Sequence, residues 1–208
     1  METALSAVPD WLTVSRETLD RLIDFVALVE KWTPAINLVS KPSVAQIWDR
    51  HVFDSAQLFP LIPDTASRLT DLGSGGGFPG LVLAILARDA APHLAVTLVE
   101  SDQRKATFLS EAIRRLDLSA TVLVQRIEAM PPQNADVVTA RAVAPLSVLC
   151  GYAARHLRPG GVALFAKGSR AEAEIAEARR HWAFTLTRHI SRLEAEATIL
   201  ELTDLRHV

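Results

Sequence analysis

The chain contains one cysteine in 208 residues, and aromatic side chains make up only 6% of it. A single cysteine, Cys150, excludes an intrachain disulfide and favours a reducing compartment. No apolar run approaches the roughly 20 residues of a membrane span, and no Cys/His cluster has metal-ligand spacing. The N-terminus lacks the basic start and apolar core of a signal peptide. We therefore expect a cytoplasmic protein with no membrane segment and no metal.

The net charge of −2 conceals an uneven distribution. Residues 1–103 contain 7 Lys/Arg and 13 Asp/Glu, whereas residues 104–208 contain 15 and 11, which gives net charges of −6 and +4. Between Arg141 and Arg192, basic residues outnumber acidic ones by nine to three. This excess suits an anionic partner such as RNA. The alternating Arg and Glu residues around Arg170–Arg180 are equally typical of a solvated helix face.

The first 65 residues are predicted to be helical and to form an N-terminal extension. Apolar residues at helical spacing predict an amphipathic helix over Ser15–Trp32. A second helix is expected to begin at Ser43, with Gln46 as its capping-box partner. It is expected to run to about Phe59, where prolines end it.

Residues 66–208 alternate short apolar strands with helices, which predicts a parallel sheet built by right-handed crossovers. No repeat or low-complexity linker separates them from the extension, so we expect the two parts to pack as one domain. Arg158–Gly161 is predicted to be a sharp turn, and the tail to be two further strands in a hairpin. The predicted strands are Arg68–Leu72, Ala95–Glu100, Thr121–Gln125, Ala135–Ala140, Val162–Lys167, Phe184–Ile190 and Ala197–Thr203. The predicted helices are Gly80–Arg88, Gln103–Leu116, Pro145–His156 and Ala171–His181.

An acid and three alternate glycines lie between the first strand and the helix that follows it. Asp71 ends the apolar strand, and Gly73, Gly75 and Gly77 follow. Glycine tolerates positive φ and lets the backbone approach a ligand closely. Open α/β sheets bind nucleotides beyond the carboxyl ends of their strands, at such a strand–turn–helix junction. The loop therefore predicts a site for a nucleotide-like ligand.

Two frames of this loop predict different ligands. Gly75-x-Gly77-x-x-Gly80 matches the dinucleotide fingerprint, whose helix N-terminus holds a pyrophosphate. Asp71-x-Gly73-x-Gly75-x-Gly77 resembles motif I of the methyltransferases that use S-adenosyl-L-methionine (AdoMet). The second frame fits better, because a carboxylate at the strand end repels a pyrophosphate but suits the cationic methionine portion of AdoMet. A plain glycine-rich turn explains the turn but not the acid, the alternation and the helix together.

Further candidate residues follow the ends of the next three strands. Glu100 is expected to hydrogen-bond the ribose hydroxyls, although an acid at this position also serves as a helix cap. Ile127 and Glu128 are candidates for contact with the adenine. Arg141 is placed for the carboxylate of the cofactor or for an RNA phosphate.

Six short motifs occur in order between Asn37 and Gly168. With them the chain resembles the ribosomal small-subunit methyltransferase G family, also called glucose-inhibited division protein B. Ala140 stands where the family often has Ser, and Glu100 where it often has Asp. The most distinctive motif ends in Phe-Pro-Gly. The motifs are Asn37-Leu38, Arg50-His51-x-x-Asp54-Ser55, Asp71-x-Gly73-Ser74-Gly75-x-Gly77-Phe78-Pro79-Gly80, Arg126-x-Glu128, Arg141-Ala142-x-Ala144-Pro145-Leu146 and Lys167-Gly168.

This resemblance implies both a fold and a reaction. The fold would be α/β, a Rossmann-like sheet of the class I AdoMet-dependent methyltransferases with an N-terminal helical extension. The family uses AdoMet to methylate N7 of one guanine, guanine 527 in the 530 loop of 16S rRNA, in the small ribosomal subunit. The residues implied to contact the cofactor are Gly73, Phe78, Ile127, Glu128 and Arg141. The loop residues Asp71, Gly75 and Gly77 and the strand-end Glu100 complete the predicted cofactor site.

The implied reaction needs alignment rather than a general base, because N7 of the neutral guanine is already nucleophilic. The N7 edge becomes accessible when the base is splayed from its stack. Arg126, Arg141 and Lys167 are expected to position RNA phosphates or the O6/N7 edge. His51 is assigned equally to that role or to a local hydrogen bond with Asp54. We expect the protein to act as a monomer.

Two other functions fit the same sequence. The chain could methylate a small molecule, with its basic excess a solvated face, or it could bind RNA without catalysis and keep only the fold. Cys150 lies inside a predicted helix without a neighbouring proline, so it is expected to be a buried residue rather than a cytosine-C5 nucleophile.

Overall fold

Short apolar segments between helices form a seven-stranded sheet, as the alternating pattern predicts. The computed structural model describes residues 8–208; residues 1–7, on which the expectation about a signal peptide rests, lie outside them. The strands are β1 (Arg68–Leu72), β2 (Ala95–Val99), β3 (Ala120–Leu123), β4 (Ala135–Arg141), β5 (Leu157–Lys167), β6 (Trp182–Ile190) and β7 (Thr198–His207). The helices are α1 (Arg16–Ile36), α2 (Lys41–Val44), α3 (Asp54–Ala56), α4 (Gly80–Ala90), α5 (Gln103–Leu116), α6 (Leu146–His156) and α7 (Ala171–Ala178), with a π-helix at Trp48–Phe53 and a 3-10 turn at Phe59–Leu61.

The strand order is β3-β2-β1-β4-β5-β7-β6. The first five strands of this order are parallel, and β7 is antiparallel to both of its neighbours. The order reverses between β1 and β4, so a crevice forms beyond their carboxyl ends. A dinucleotide-binding sheet has the order 3-2-1-4-5-6. The antiparallel β7 between β5 and β6 therefore distinguishes this sheet from the alternative that the glycine fingerprint raised.

Helices cover both faces of the sheet and enclose two apolar cores. Apolar side chains of α1, α4 and α5 pack on one face with Leu69 and Leu98, and those of α6 and α7 pack on the other with Val138 and Phe165. Phe25 of α1 is fully buried in the first core. The extension thus shares its core with the sheet.

The first helix begins where the sequence indicates. The Ser15 side chain accepts a hydrogen bond from the Thr18 N–H at 3.0 Å and caps α1. The helix continues past the predicted end at Trp32 to Ile36, and Asn37 terminates it with a φ of 52°.

The prediction of a long second helix was wrong. The helix α2 begins at Lys41, because Pro42 suits a first helical turn, and it ends at Val44. Ser43 forms no capping box, since its hydroxyl donates to the Ser40 carbonyl at 2.8 Å. The π-helix and α3 then follow each other without a break, so helical backbone covers much of the predicted span but not as one regular α-helix.

The turn expected at Arg158–Gly161 lies within a strand. Ala135 pairs with Leu157 and Val137 pairs with Val162, so β5 accommodates the extra residues as an irregularity in its register. Gly160 adopts a φ of 76° there. The predicted tail hairpin is confirmed by the antiparallel pairing of β6 with β7.

Candidate active site

A cavity of about 1050 Å³ lies at the carboxyl ends of the central strands, where the strand order reverses. The glycine loop after β1, the π-helix and the segment after β4 form much of its wall. The start of α5, the connection from β5 to α7 and the turn between β6 and β7 complete the wall. Small-molecule sites enclose roughly 300–1,000 Å³. This cavity has space for a cofactor together with part of a second ligand.

The three alternate glycines all adopt positive φ, at 68°, 53° and 90° for Gly73, Gly75 and Gly77. A Cβ on Gly73 would lie 2.6 Å from Val143, and one on Gly77 would lie 2.6 Å from Leu81. A Cβ on Gly75 would meet nothing closer than 3.8 Å. Two glycines are therefore required by packing as well as by φ, whereas Gly75 leaves open space at the cavity wall.

Asp71 lies beneath the loop rather than in the cavity wall. Its carboxylate is fully buried and accepts hydrogen bonds from the Thr139 hydroxyl at 2.8 Å and the Gly80 N–H at 3.2 Å. Burial raises its pKa from the ordinary 3.8 to about 6. Asp71 thus ties β1 to β4 and to the start of α4, and this arrangement gives it no direct path to a ligand in the cavity.

The Glu100 carboxylate hydrogen-bonds the backbone of the glycine loop and also lines the cavity. One carboxylate oxygen accepts from the Gly75 N–H at 2.9 Å, and the other accepts from the Asp102 N–H at 2.8 Å. The residue is 9% exposed and lines the cavity. Each carboxylate oxygen has a second lone pair, so Glu100 is able to accept ligand hydroxyls while it fixes the loop.

The segment after β3 does not contribute to the cavity wall. The side chain of Arg126 is 75% exposed and lies 3.7 Å from the Glu128 carboxylate. Glu128 accepts a hydrogen bond from the Tyr152 hydroxyl at 2.5 Å, and the Ile127 carbonyl lies 3.2 Å from Nε2 of His156. Arg126, Ile127 and Glu128 are therefore not among the residues that line this cavity.

Arg141 joins the core to the extension at the cavity wall. Its guanidinium donates to the Arg50 carbonyl at 2.8 Å, to the Asp54 carboxylate at 3.1 Å and to Nδ1 of His51 at 2.6 Å. It also lies 5.5 Å from the centre of the Phe78 ring, within cation–π range. Sequence reasoning identified Arg141 as a ligand contact but did not find these partners, because they come from a segment about 90 residues earlier.

The partners of Arg141 lie in the π-helix or directly after it. The Asp54 N–H donates to the Asp49 carbonyl, five residues back, and the Arg50 carbonyl accepts from Arg141. In an α-helix the Asp54 N–H would instead bond to the Arg50 carbonyl. Such insertions occur frequently at functional sites.

His51 is neutral at physiological pH. Burial, followed by the nearby charges of Arg141 and Arg50, lowers its pKa from 6.5 to about 4. Its Nδ1 accepts from Arg141, so Nε2 carries the proton; Nε2 is buried and has no partner in the described part of the chain. The ring lies 5.0 Å from that of Phe78. His51 thus bonds Arg141 rather than Asp54, and it provides no positive charge for a phosphate.

Lys167 lines the cavity, but its ammonium group is hydrogen-bonded to other residues of the protein. Its ammonium donates to the Ala144 carbonyl at 3.0 Å and to the Glu174 carboxylate at 2.8 Å, and its side chain is 9% exposed. The same carboxylate accepts from the Leu146 N–H at 2.8 Å. Lys167 therefore stabilises the connection between β5, α6 and α7.

Three cations of the cavity wall were not singled out from the sequence. Arg50 and Arg170 are exposed, Lys105 is partly exposed, and all three line the cavity. None of them forms an ion pair with a residue in the range 8–208. Arg50 belongs to the motif Arg50-His51-x-x-Asp54-Ser55, but no local pattern places it, Lys105 or Arg170 in a cavity wall, because basic residues on helices and loops resemble a solvated surface.

Within the described range, no group of three or more His, Cys, Asp or Glu residues is arranged to hold a metal ion. None of the helices in the same range is both long enough and apolar enough to cross a membrane. Cys150 is buried, as predicted, and burial raises the pKa of its thiol to about 12.

The structure is similar to solved methyltransferases of low sequence identity. It matches a methyltransferase from Geobacter sulfurreducens with a TM-score of 0.63 and 13% identity, over 97% of this chain and 95% of that one. It matches a TehB-like SAM-dependent methyltransferase from Corynebacterium glutamicum with a TM-score of 0.59 and 14% identity, over 85% and 98%. At these identities the likeness shows the fold alone, which is the predicted Rossmann-like class I methyltransferase fold.

Sequence relatives cover nearly the whole chain. A ribosomal RNA small subunit methyltransferase G from Cereibacter sphaeroides is 53% identical over 95% of this chain and 96% of its own length. A protein of the same name from Acidiphilium cryptum is 53% identical over 93% and 88%. The family model described as "GidB: rRNA small subunit methyltransferase G" matches residues 18–202. The chain therefore belongs to the rRNA small subunit methyltransferase G family.

Proposed function

We propose that the protein transfers a methyl group from AdoMet to N7 of guanine 527 of 16S rRNA, in the small ribosomal subunit. The observation that carries the proposal is the position of the cavity. It joins the glycine loop of a methyltransferase fold to a wall built by the N-terminal extension. We expect this reaction to take place in the cytoplasm, with the protein acting as a monomer.

The residues around the glycine loop fit AdoMet. Gly73 and Gly75 bring backbone to the cavity wall, and Glu100 has free lone pairs for a ribose diol. Bound AdoMet supplies an electrophilic methyl group. The guanidinium of Arg141, fixed from three sides, provides a cation in the same wall for a carboxylate or a phosphate.

The role proposed for the protein is alignment. Guanine N7 is nucleophilic in the neutral base, so the reaction requires the base to be held with N7 directed at the methyl carbon. The Phe78 ring, which packs against His51 and Arg141, lies in the cavity wall and provides a surface against which the base is held. The size of the cavity is consistent with a base that enters from an unstacked RNA loop.

Two measurements test the proposal. Calorimetry of the purified protein with AdoMet is expected to show binding at one site. Incubation with labelled AdoMet and small subunits that lack the modification is expected to label 16S rRNA. Binding of AdoMet without label in the rRNA would favour a small-molecule methyltransferase, and absence of AdoMet binding would favour a non-catalytic RNA-binding protein.

A further inference from the structure

Most cations of the basic second half of the chain are already bound to other parts of the protein. Arg141 and Lys167 contact the extension and Glu174, as described above. The remaining contacts are Arg104 with Asp102, Arg114 and Arg115 with Glu111, Arg126 with Glu128, Arg155 with the Met130 carbonyl, Arg158 with Asp136, Arg180 with Glu177, Arg188 with Glu172, Arg179 with the Phe184 ring and Arg192 with the Trp11 ring. The overall basic excess is therefore a poor guide to where RNA binds.

Arg50, Lys105 and Arg170 differ from these residues. They come from three separate elements, the π-helix, the start of α5 and the turn before α7, and they meet in the wall of one cavity. Their charged groups form none of the ion pairs of the described range, although Arg170 lies near enough to Glu174, and Lys105 to Asp102, to lower the pKa of those carboxyls. We call these three residues the rim cations. Three carboxylates of the same wall, Asp49, Glu100 and Glu194, equal the rim cations in number, so the inference rests on the placement of the three cations and not on a net positive charge of the wall.

A base that enters the cavity leaves its sugar–phosphate backbone outside. The phosphates on the 5′ and 3′ sides of that nucleotide must then lie at the rim, on different sides of the opening. Cations from three elements in the wall of one cavity, two of them exposed and one partly exposed, suit this distribution of negative charge.

We propose that Arg50, Lys105 and Arg170 bind the backbone phosphates that flank the guanine entering the cavity. This inference rests on the proposed function, since it requires an RNA substrate. It replaces Arg126 and Lys167 as the expected phosphate contacts, because the first lies outside the cavity wall and the second is paired with Glu174.

The test compares single variants Arg50→Gln, Lys105→Gln and Arg170→Gln and the triple variant with the wild type. The control is Arg68→Gln. Arg68 is exposed, lies at the amino end of the central strand β1, the end away from the cavity, and forms no ion pair in the described range. The measurement is equilibrium binding to small subunits that lack the modification, between 50 and 200 mM KCl at fixed Mg²⁺.

Each contact with a single-stranded phosphate contributes about 0.7 to the slope of log affinity against log salt. The triple variant is expected to lose about 2 from this slope, so that the increase in Kd between 50 and 200 mM KCl is roughly 20-fold smaller than for the wild type. Each single variant is expected to lose about 0.7, and Arg68→Gln nothing. Slopes for the triple variant equal to those of Arg68→Gln would overturn the inference.

AdoMet affinity separates failure of this inference from failure of the proposed function. The rim variants are expected to bind AdoMet like the wild type. They are still expected to show the smaller slope of log RNA affinity against log salt. A variant that loses AdoMet affinity instead would place its residue in the cofactor site and contradict its role as a phosphate contact. If the wild type itself neither binds AdoMet nor labels 16S rRNA, the proposed function fails, whatever the slopes.

Discussion

At the scale of single residues, Gly73 and Gly75 require glycine for different reasons. Both have positive φ, but only at Gly73 would an added Cβ also meet a neighbour, Val143, at 2.6 Å. Gly73→Ala is expected to lower the free energy of unfolding by about 2–4 kcal/mol, through strain and overpacking together. Urea unfolding followed by circular dichroism measures this loss.

The matched control is Gly75→Ala, which adds the backbone strain without the clash. It is expected to cost about 1 kcal/mol, as an alanine at positive φ does. Equal losses for the two variants would contradict the role assigned to the contact with Val143.

Asp71 and His51 predict opposite effects of pH on stability. Burial raises the pKa of Asp71 from 3.8 to about 6, so the folded state binds this proton more tightly and stability falls as pH rises through that range. Burial lowers the pKa of His51 from 6.5 to about 4, so the unfolded state takes up this proton first and stability falls as pH drops from 6.5 to 4.

Variants at the two positions should therefore change the pH profile in opposite directions. Between pH 4 and 6, Asp71→Asn is expected to make the slope of unfolding free energy against pH more positive than in the wild type, and His51→Gln to make it more negative. Urea unfolding at four pH values in this range measures both slopes. Profiles parallel to that of the wild type would show that neither group has the shifted pKa.

Sequence reasoning singles out residues for which there is a strong local reason. Gly73 and Asp71 stand out because a strand, an acid and a glycine turn occur together within a few residues. The same reasoning could not tell that Asp71 is covered while Glu100 reaches the cavity, because exposure depends on how β4 and α4 pack around the loop. It placed Arg50 in a family motif but could not place its side chain in the cavity wall.

At the scale of elements, the ion pair between Lys167 and Glu174 is expected to hold the end of β5 to α6 and α7. Lys167→Met leaves the Glu174 carboxylate without its cation, and removal of one partner of a largely buried pair is expected to cost about 3 kcal/mol. Adding Glu174→Gln removes the unpaired charge and keeps an acceptor for the Leu146 N–H. The double variant is therefore expected to be more stable than Lys167→Met alone. Additive losses by urea unfolding would contradict the pairing.

Element predictions succeeded where the periodicity of the sequence is regular. The bounds of β1 and α5 match the prediction at both ends, because an apolar run and an amphipathic stripe each end at a clear polar boundary. The π-helix and the irregularity in β5 were missed. At each of them a residue contacts a distant partner, Arg50 with Arg141 and Leu157 with Ala135, and no local pattern in the sequence records such a contact.

At the scale of the whole molecule, the shared core predicts one cooperative unfolding transition. The Phe25 and Phe78 rings lie 5.1 Å apart, and those of Trp32 and Phe108 lie 5.8 Å apart, each pair joining the extension to the sheet domain. In a Trp182→Phe variant, the remaining tryptophans all lie in the extension. Its fluorescence and its far-UV circular dichroism are expected to change at the same urea concentration. An earlier fluorescence transition would show that the extension unfolds separately.

The central claim for the molecule is that its cavity methylates N7 of one guanine. The most direct measurement incubates small subunits lacking the modification with the protein and AdoMet, and then cleaves the RNA with borohydride and aniline, which break the chain at N7-methylguanine. The predicted result is a single AdoMet-dependent cleavage at guanine 527 in the 530 loop of 16S rRNA. Label in the RNA without cleavage there, or cleavage at another guanine, would contradict the claim.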